Sequence, residues 1–231
     1  MRRRYYINQE QPLVKYGYLY NWYVTQGTGD NSIIPLAMAN EGWVIPYHFN
    51  TMKAYLGGDS VAGGKLKENN TDYWNNLVGA TNDVNFSARG GGHRQSGNGA
   101  FTAFKLGASF WCLYTEIGMP GLRFQLTSNS SNVGYSWMPI VTGCSIRLVR
   151  PLQLGEQTIP DGQPVGTYIG NDGFVYPTVR IGSEVWLACN LAETMLRNGT
   201  LIPVITDNTQ WASQTGKAMC YQQNDFNNVF I

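Results

Sequence analysis

Charge is scarce in this chain. Lys, Arg, Asp and Glu make up 13 % of its 231 residues and nearly cancel, to a formal net charge of +1. That balance argues against a general electrostatic grip on nucleic acid. The one basic run, Arg2-Arg3-Arg4, reads as a solvated terminus or a contact to a neighbouring subunit sooner than as a nucleic-acid arm. Metal-ligand spacings are missing too. The four cysteines, Cys112, Cys144, Cys189 and Cys220, form no C-x-x-C pair, and His48 and His93 are the only histidines. A zinc site is therefore not expected, nor any other metal or cofactor. The thiols are expected to be buried and free, with one or two disulfides if the chain ends in an oxidising space. No stretch approaches the roughly 18–20 apolar residues of a membrane span. No apolar run follows the arginines to serve as a signal-peptide core. The expectation is a chain made in a cytoplasm and not exported by the usual signal, unless a leader has been removed.

Aromatic residues (13 %) and 27 glycines dominate instead, the composition of a turn-rich globular chain. Residues 18–24 alternate as a strand would, with Leu19, Asn21 and Tyr23 on one face and Tyr18, Tyr20, Trp22 and Val24 on the other. Gly42-Trp43-Val44-Ile45-Pro46 reads as a short buried strand stopped by proline. Phe49, Met52, Tyr55 and Leu56 form a helical stripe closed by Gly57-Gly58. Residues 63–94 are loop-rich, yet Tyr73, Trp74 and Phe86 favour an internally packed loop. Strands are expected at 108–113, 122–127 and 145–150. Residues 152–164 read as a linker. A strand meander follows over 167–188, with an Asn171-Asp172-Gly173 turn, and Asp207 or Thr206 could cap a short helix near Thr209.

Taken in order, Y-G-Y-L-Y-N-W-Y from Tyr16, G-W-V-I-P from Gly42, A-G-G-K-L-K-E from Ala62, F-S-A-R-G-G-G-H-R from Phe86 and S-I-R-L-V-R from Ser145 resemble the Fibrobacter succinogenes major paralogous domain. The resemblance covers residues 15–151. It implies an α+β, C-type-lectin-like (formylglycine-generating-enzyme-like) fold, with twisted antiparallel sheets, one or two short helices and long loops. The start of the first helix departs from the family, which tends to carry a polar cap and acidic residues where this chain has Tyr47-His48-Phe49-Asn50. The tail resembles the same family's first half, in D-G-F-V-Y-P-T-V-R-I-G-S-E-V-W-L-A-C-N-L from Asp172 and T-D-N-T-Q-W from Thr206. Its order is rotated: an arm at 1–14, the second half at 15–151, the linker at 152–164 and the first half at 165–231. Three explanations are open. They are circular permutation of the chain, completion of a neighbour's domain by the tail, and a whole domain followed by a truncated second copy. The first is favoured and the last is the least stable.

The related fold family includes a cysteine-oxidising enzyme, so Cys112 and Cys144, on candidate neighbouring strands, are weighed as a reactive pair and read instead as structural thiols. His93 reads as a packing or hydrogen-bonding substitute for an aromatic residue. Lectin-type calcium signatures are absent, and Asn82-Asp83 and Asp72 read as turn formers. Where the family tends to be polar and serine-rich, residues 111–139 carry bulky side chains beside glycine and proline. Tyr114, Met119, Arg123, Tyr135, Trp137 and Met138 are the candidate ligand-binding surface, against the alternative that half of them are core. Diversity-generating retroelement proteins diversify the corresponding region. The expected function is a non-enzymatic display or adhesion module. A bacteriophage virion protein (fibre, tail tip or capsid decoration) comes first, then a bacterial cell-surface protein, and a formylglycine-generating-like enzyme third. The expected partners are other virion proteins and a host-surface protein or glycan. Arg2, Arg3, Arg4, Tyr5 and Tyr6 would dock onto the virion or a mate in a homo-oligomer, a trimer as first guess.

Overall fold

A computed structural model describes residues 11–116, 119 and 121–231. The docking candidates Arg2 to Tyr6 lie outside the described residues. In chain order the elements are β1 (Tyr18–Tyr20), α1 (Trp22–Thr25), α2 (Leu36–Asn40), α3 (Asn50–Tyr55), α4 (Ala62–Leu66), β2 (His93–Arg94), β3 (Phe101–Thr102), β4 (Gly107–Cys112), β5 (Leu122–Thr127) and β6 (Val133–Trp137). They are followed by β7 (Val149–Pro151), β8 (Thr167–Ile169), β9 (Val175–Ile181), β10 (Glu184–Leu187), α5 (Asn208–Ala212) and β11 (Met219–Tyr221). Four antiparallel sheets result, ordered β1-β11, β7-β10-β9-β8, β2-β3 and β4-β5-β6. The class is α+β with short helices and long loops, as expected of a C-type-lectin-like architecture.

Two of these sheets join segments far apart in sequence. Tyr18, Leu19 and Tyr20 pair with Tyr221, Cys220 and Met219. Alongside them Val14 bridges Phe230, and the Lys15 N–H donates to the Val229 carbonyl. Val149 and Arg150 of β7 pair with Trp186 and Val185 of β10. The tail thus lies beside the opening segment of the same chain, and side chains from both halves fill shared clusters. Tyr20, Trp111, Tyr168 and Leu187 belong to one; Phe49, Phe110, Phe124 and Trp186 to another. The connection over 152–164 is pinned. Glu156 pairs with both Arg150 terminal nitrogens at 2.6–2.7 Å, and the Gly162 N–H donates to the Arg180 carbonyl.

The strand expected over 18–24 ends at Tyr20, and residues 22–25 form a helical turn. Asn21 is the cause. Its amide donates to the Gly216 carbonyl (2.7 Å) and accepts from the Ala218 N–H (3.1 Å), so the chain turns there. The strand expected at 42–46 is reduced to one bridge, Val44 to Val149. In the 145–150 strand only Val149 and Arg150 belong to a ladder, while Ser145 bridges Phe110 singly.

The helix expected before Gly57-Gly58 is α3. Both glycines take positive φ (101° and 92°), and the Gly58 N–H caps the Lys53 carbonyl. Its uncapped start is resolved from another strand. The Tyr135 hydroxyl of β6 accepts from the Phe49 N–H (2.9 Å) and donates to Asn50 Oδ1 (3.1 Å). Phe49 then stacks on Phe124 at 4.3 Å.

The basic residues of the family-like motifs hold the loops. The Arg147 guanidinium is fully buried over Phe86 and donates to the Phe86, Ser87 and Leu187 carbonyls and to Asn190 Oδ1. Arg94, between Phe101 and Trp211, holds the Gly99, Ile205 and Thr206 carbonyls. Lys67 Nζ donates to the Val78, Thr127 and Ser130 carbonyls at 2.8–2.9 Å. Each cation supplies several donors to backbone carbonyls of loops and strand ends. Trp74 and Phe86 are fully buried, so the 63–94 region is internally packed.

Candidate functional site

The three-stranded sheet β4-β5-β6 carries the candidate residues, and strand alternation divides them between two faces. Leu122, Phe124 and Leu126 share a face with Phe110 and Cys112 of β4 and with Val133, Tyr135 and Trp137 of β6. Arg123, Gln125 and Thr127 share the other with Trp111, Ser109, Gly107, Ser136 and Gly134. Residues 133–137 are therefore a strand, one that was not among the strands expected from sequence.

On the first face, Tyr135 is committed to the start of α3 and half-buried, while Trp137 continues outward. Its ring lies 5.9 Å from Tyr114, and Tyr114 lies 5.2 Å edge-on to Tyr47. His48 extends the row at 5.4 Å. Tyr47 is 55 % exposed. Two backbone bonds, from Leu113 N–H to the Pro46 carbonyl and from Tyr114 N–H to the Tyr47 carbonyl, lock the two loops together. The Tyr114 hydroxyl donates to Glu116 Oε1, and Met119, 44 % exposed, bridges back to Glu116. Met138 faces inward, against the first core cluster. The structure thus brings together Tyr114, Trp137 and, by way of Glu116, Met119. It adds Tyr47 and sets Tyr135 and Met138 to structural work.

On the second face Arg123 lines a cleft of about 330 Å³. Its Nε donates to Ser136 Oγ (2.8 Å), and its Nη1 to Ser109 Oγ (3.3 Å) and His93 Nδ1 (3.1 Å). Arginine can only donate, so the imidazole nitrogen facing it is unprotonated. Burial, and secondarily the Arg123 charge, push His93 down to about 4. The sign follows. The unfolded chain binds a proton near pH 6.5 that the folded chain refuses until about 4, so stability is unaffected above 6.5 and falls as pH drops through that window. Replacing His93 with Asn should remove ~2 kcal/mol of this loss, allowing for solvent screening at the cleft. Chemical denaturation of both proteins at pH 7 and pH 4 measures it, and equal pH sensitivity would refute it.

The four thiols are free. Burial pushes Cys144 and Cys220 up to about 12 and Cys189 to about 11, and Cys112 is raised further. At neutral pH none holds an appreciable thiolate fraction. Among the described residues no group of three His, Cys, Asp or Glu side chains could hold a metal ion, and no helix is long and apolar enough to cross a membrane.

Sequence reasoning missed Tyr47, Ser109, Gln125 and Ser136 as neighbours of the candidate residues. The alternation Leu122-Arg123-Phe124-Gln125-Leu126-Thr127 was the available signal for the polar face. Tyr47 gave none, because its partner lies 67 positions away. A family model described as the Fibrobacter succinogenes major domain matches residues 2–150. No curated protein and no solved structure matches the chain.

Proposed function

This chain belongs to the Fibrobacter succinogenes major domain family, and from that premise we propose that it is a non-enzymatic binding module that grips a host-surface ligand. The observation that carries the reading is the aromatic row Tyr47, Tyr114 and Trp137, with successive rings 5.2 and 5.9 Å apart, Trp137 at the end of β6 and the other two on loops joined by backbone hydrogen bonds. Aromatic side chains give large contact area at small entropic cost, which is why they concentrate at binding hot spots. The raised thiols support a binding role over a cysteine-dependent reaction, which would require a reactive thiolate.

The setting we propose is a bacteriophage virion, as a fibre, tail-tip or capsid decoration protein. A bacterial cell surface is the alternative. Four unpaired thiols suit a protein assembled in a reducing host cytoplasm better than one displayed in an oxidising space. The neighbouring reading frames discriminate between the two settings. The binding role is tested by Tyr114→Ala with Trp137→Ala. Adhesion of the purified protein to host cells should weaken at least about 100-fold, while circular dichroism and the melting transition stay close to those of the parent. Adhesion unchanged in the folded double variant would overturn the reading.

A further inference from the structure

We propose that the cleft beneath Arg123 is a second binding site, which takes an acidic sugar with Arg123 as anchor for its carboxylate. The inference goes beyond the aromatic row, because Arg123 and Trp137 point to opposite faces of the sheet.

Arg123 differs from the other ordered arginines of the second half. Arg89 is paired with Glu68 and Arg150 with Glu156. Arg94 and Arg147 are fully buried, and their donors are used on carbonyls. Arg123 is half-buried, has no carboxylate partner among the described residues, and is held by three neutral acceptors, Ser136, Ser109 and His93. Those contacts use Nε and Nη1. Nη2 donates to no protein group among the described residues. The result is a fixed guanidinium with a free donor edge, oriented in advance by hydroxyls that do not neutralise it.

The surroundings define the ligand. Ser109, Gln125, Thr127, Ser128 and Asn129 line the cleft with hydroxyl and amide groups, while Ala103 and Leu106 supply a small apolar wall. That mixture matches a ring carrying several hydroxyls on one side and C–H groups on the other. A volume of about 330 Å³ sits at the small end of ligand sites and suits one sugar ring sooner than a peptide segment. Among the described residues Arg123 is the one Lys or Arg side chain lining the cleft, so a monoanionic carboxylate is the fitting charge. His93 reports on occupancy: a carboxylate brought to Arg123 offsets the positive charge beside the imidazole and makes its protonation easier.

The test follows the His93 ring by NMR in the full chain while it is titrated with glucuronate, glucose or N-acetylaspartate. The chain has only two histidines, and His93→Asn assigns the signal. Glucuronate should shift the His93 resonance, raise its apparent pKa and bind at least tenfold tighter than glucose. In Arg123→Gln, checked for folding by circular dichroism, glucuronate affinity should fall at least about tenfold. Arg123→Lys, which keeps the charge and loses the fork, should fall between. No His93 response to glucuronate, equal binding of glucose, or unchanged affinity in Arg123→Gln would each overturn the site. N-acetylaspartate binding as tightly as glucuronate would overturn the sugar assignment. Failure here leaves the aromatic row untouched, since that reading is tested by Tyr114 and Trp137 variants in a different assay.

Discussion

A chain that stops after Pro151 will not fold, and it will recover its fold when residues 165–231 are supplied as a separate polypeptide. The reason lies in which surfaces the tail covers. Without it β1 and β7 lose the only ladder partners they have among the described residues, β11 and β10. The first core cluster loses Tyr168, Tyr176, Val185 and Leu187, the second loses Trp186, and Trp211 leaves the third. Full burial of such side chains contributes roughly 1.5–3 kcal/mol each, against a total domain stability of about 5–15 kcal/mol, so the loss of these six alone is as large as the stability itself in order of magnitude. Arg94 and Arg147 would also remain without the Ile205, Thr206 and Leu187 carbonyls they hold. Far-ultraviolet dichroism and a thermal scan of the truncated chain, alone and co-expressed with the tail, measure this. A cooperative melt from the truncated chain alone would sink it. The same experiment addresses chain order. We propose that the first-half segment follows the second half as a permutation closed within one chain, so the intact protein should stay folded as a monomer on dilution. Unfolding on dilution would favour exchange of the tail between neighbours.

How much of this could be read from residues depends on how far away the deciding partner lies. The meander over 167–188 was legible because its signals are local: alternating side chains, an Asp-Gly turn with Gly173 at φ 81°, and a second turn at Gly182. The Asp207 cap was equally local, its side chain accepting from the Gln210 N–H three residues on. Asn21 shows the opposite case. Nothing near it announces the end of β1, because its partners Gly216 and Ala218 are 195 and 197 positions away. Tyr135 was grouped with the candidate ligand-binding surface, yet its hydroxyl replaces the missing cap of a helix 86 positions earlier. In the candidate site, composition pointed to the region of β4 to β6 but not to its faces. Arg123 and Trp137 were grouped by proximity in sequence, whereas a pleated ladder sends Leu122 with Trp137 and Arg123 with Ser136 to opposite sides. The match over residues 2–150 draws attention to motifs rich in Lys and Arg, and sequence gives no hint that they serve as internal donors, since their carbonyl acceptors lie far away in loops and at the ends of β5 and β10.

That internal role sets up the other large effect. Arg147→Met should destabilise the protein by on the order of 4 kcal/mol, although methionine fills much of the arginine stem's space and no salt bridge is broken. Arg147 is fully buried and serves four acceptors: three carbonyls at 86, 87 and 187 and the Asn190 amide oxygen. Burial pushes its guanidinium down to about 9, the dominant cause being desolvation, so it remains a cation at neutral pH. A lone buried cation is unfavourable unless its donors are used, and here every nitrogen is engaged. Removing it spares that desolvation cost but strands the acceptors, each worth about 1–3 kcal/mol when left unmade. Stranding wins because four acceptors lose their donor together, in the loop at 86–87, at the end of β10 and at Asn190. Arg147→Lys should recover only part of the loss, since an ammonium has three donors and cannot reach planar-fork positions. Arg89→Met is the comparison: that side chain is part-buried, its Glu68 partner can turn to solvent, and it serves two carbonyls, those of Val14 and Lys15, against four acceptors, so the change should cost about 2 kcal/mol. Urea denaturation of the three variants at pH 7 ranks them. Arg147→Met as mild as Arg89→Met would mean that water enters to satisfy the stranded carbonyls, and that the motif arginines do not hold the loops together.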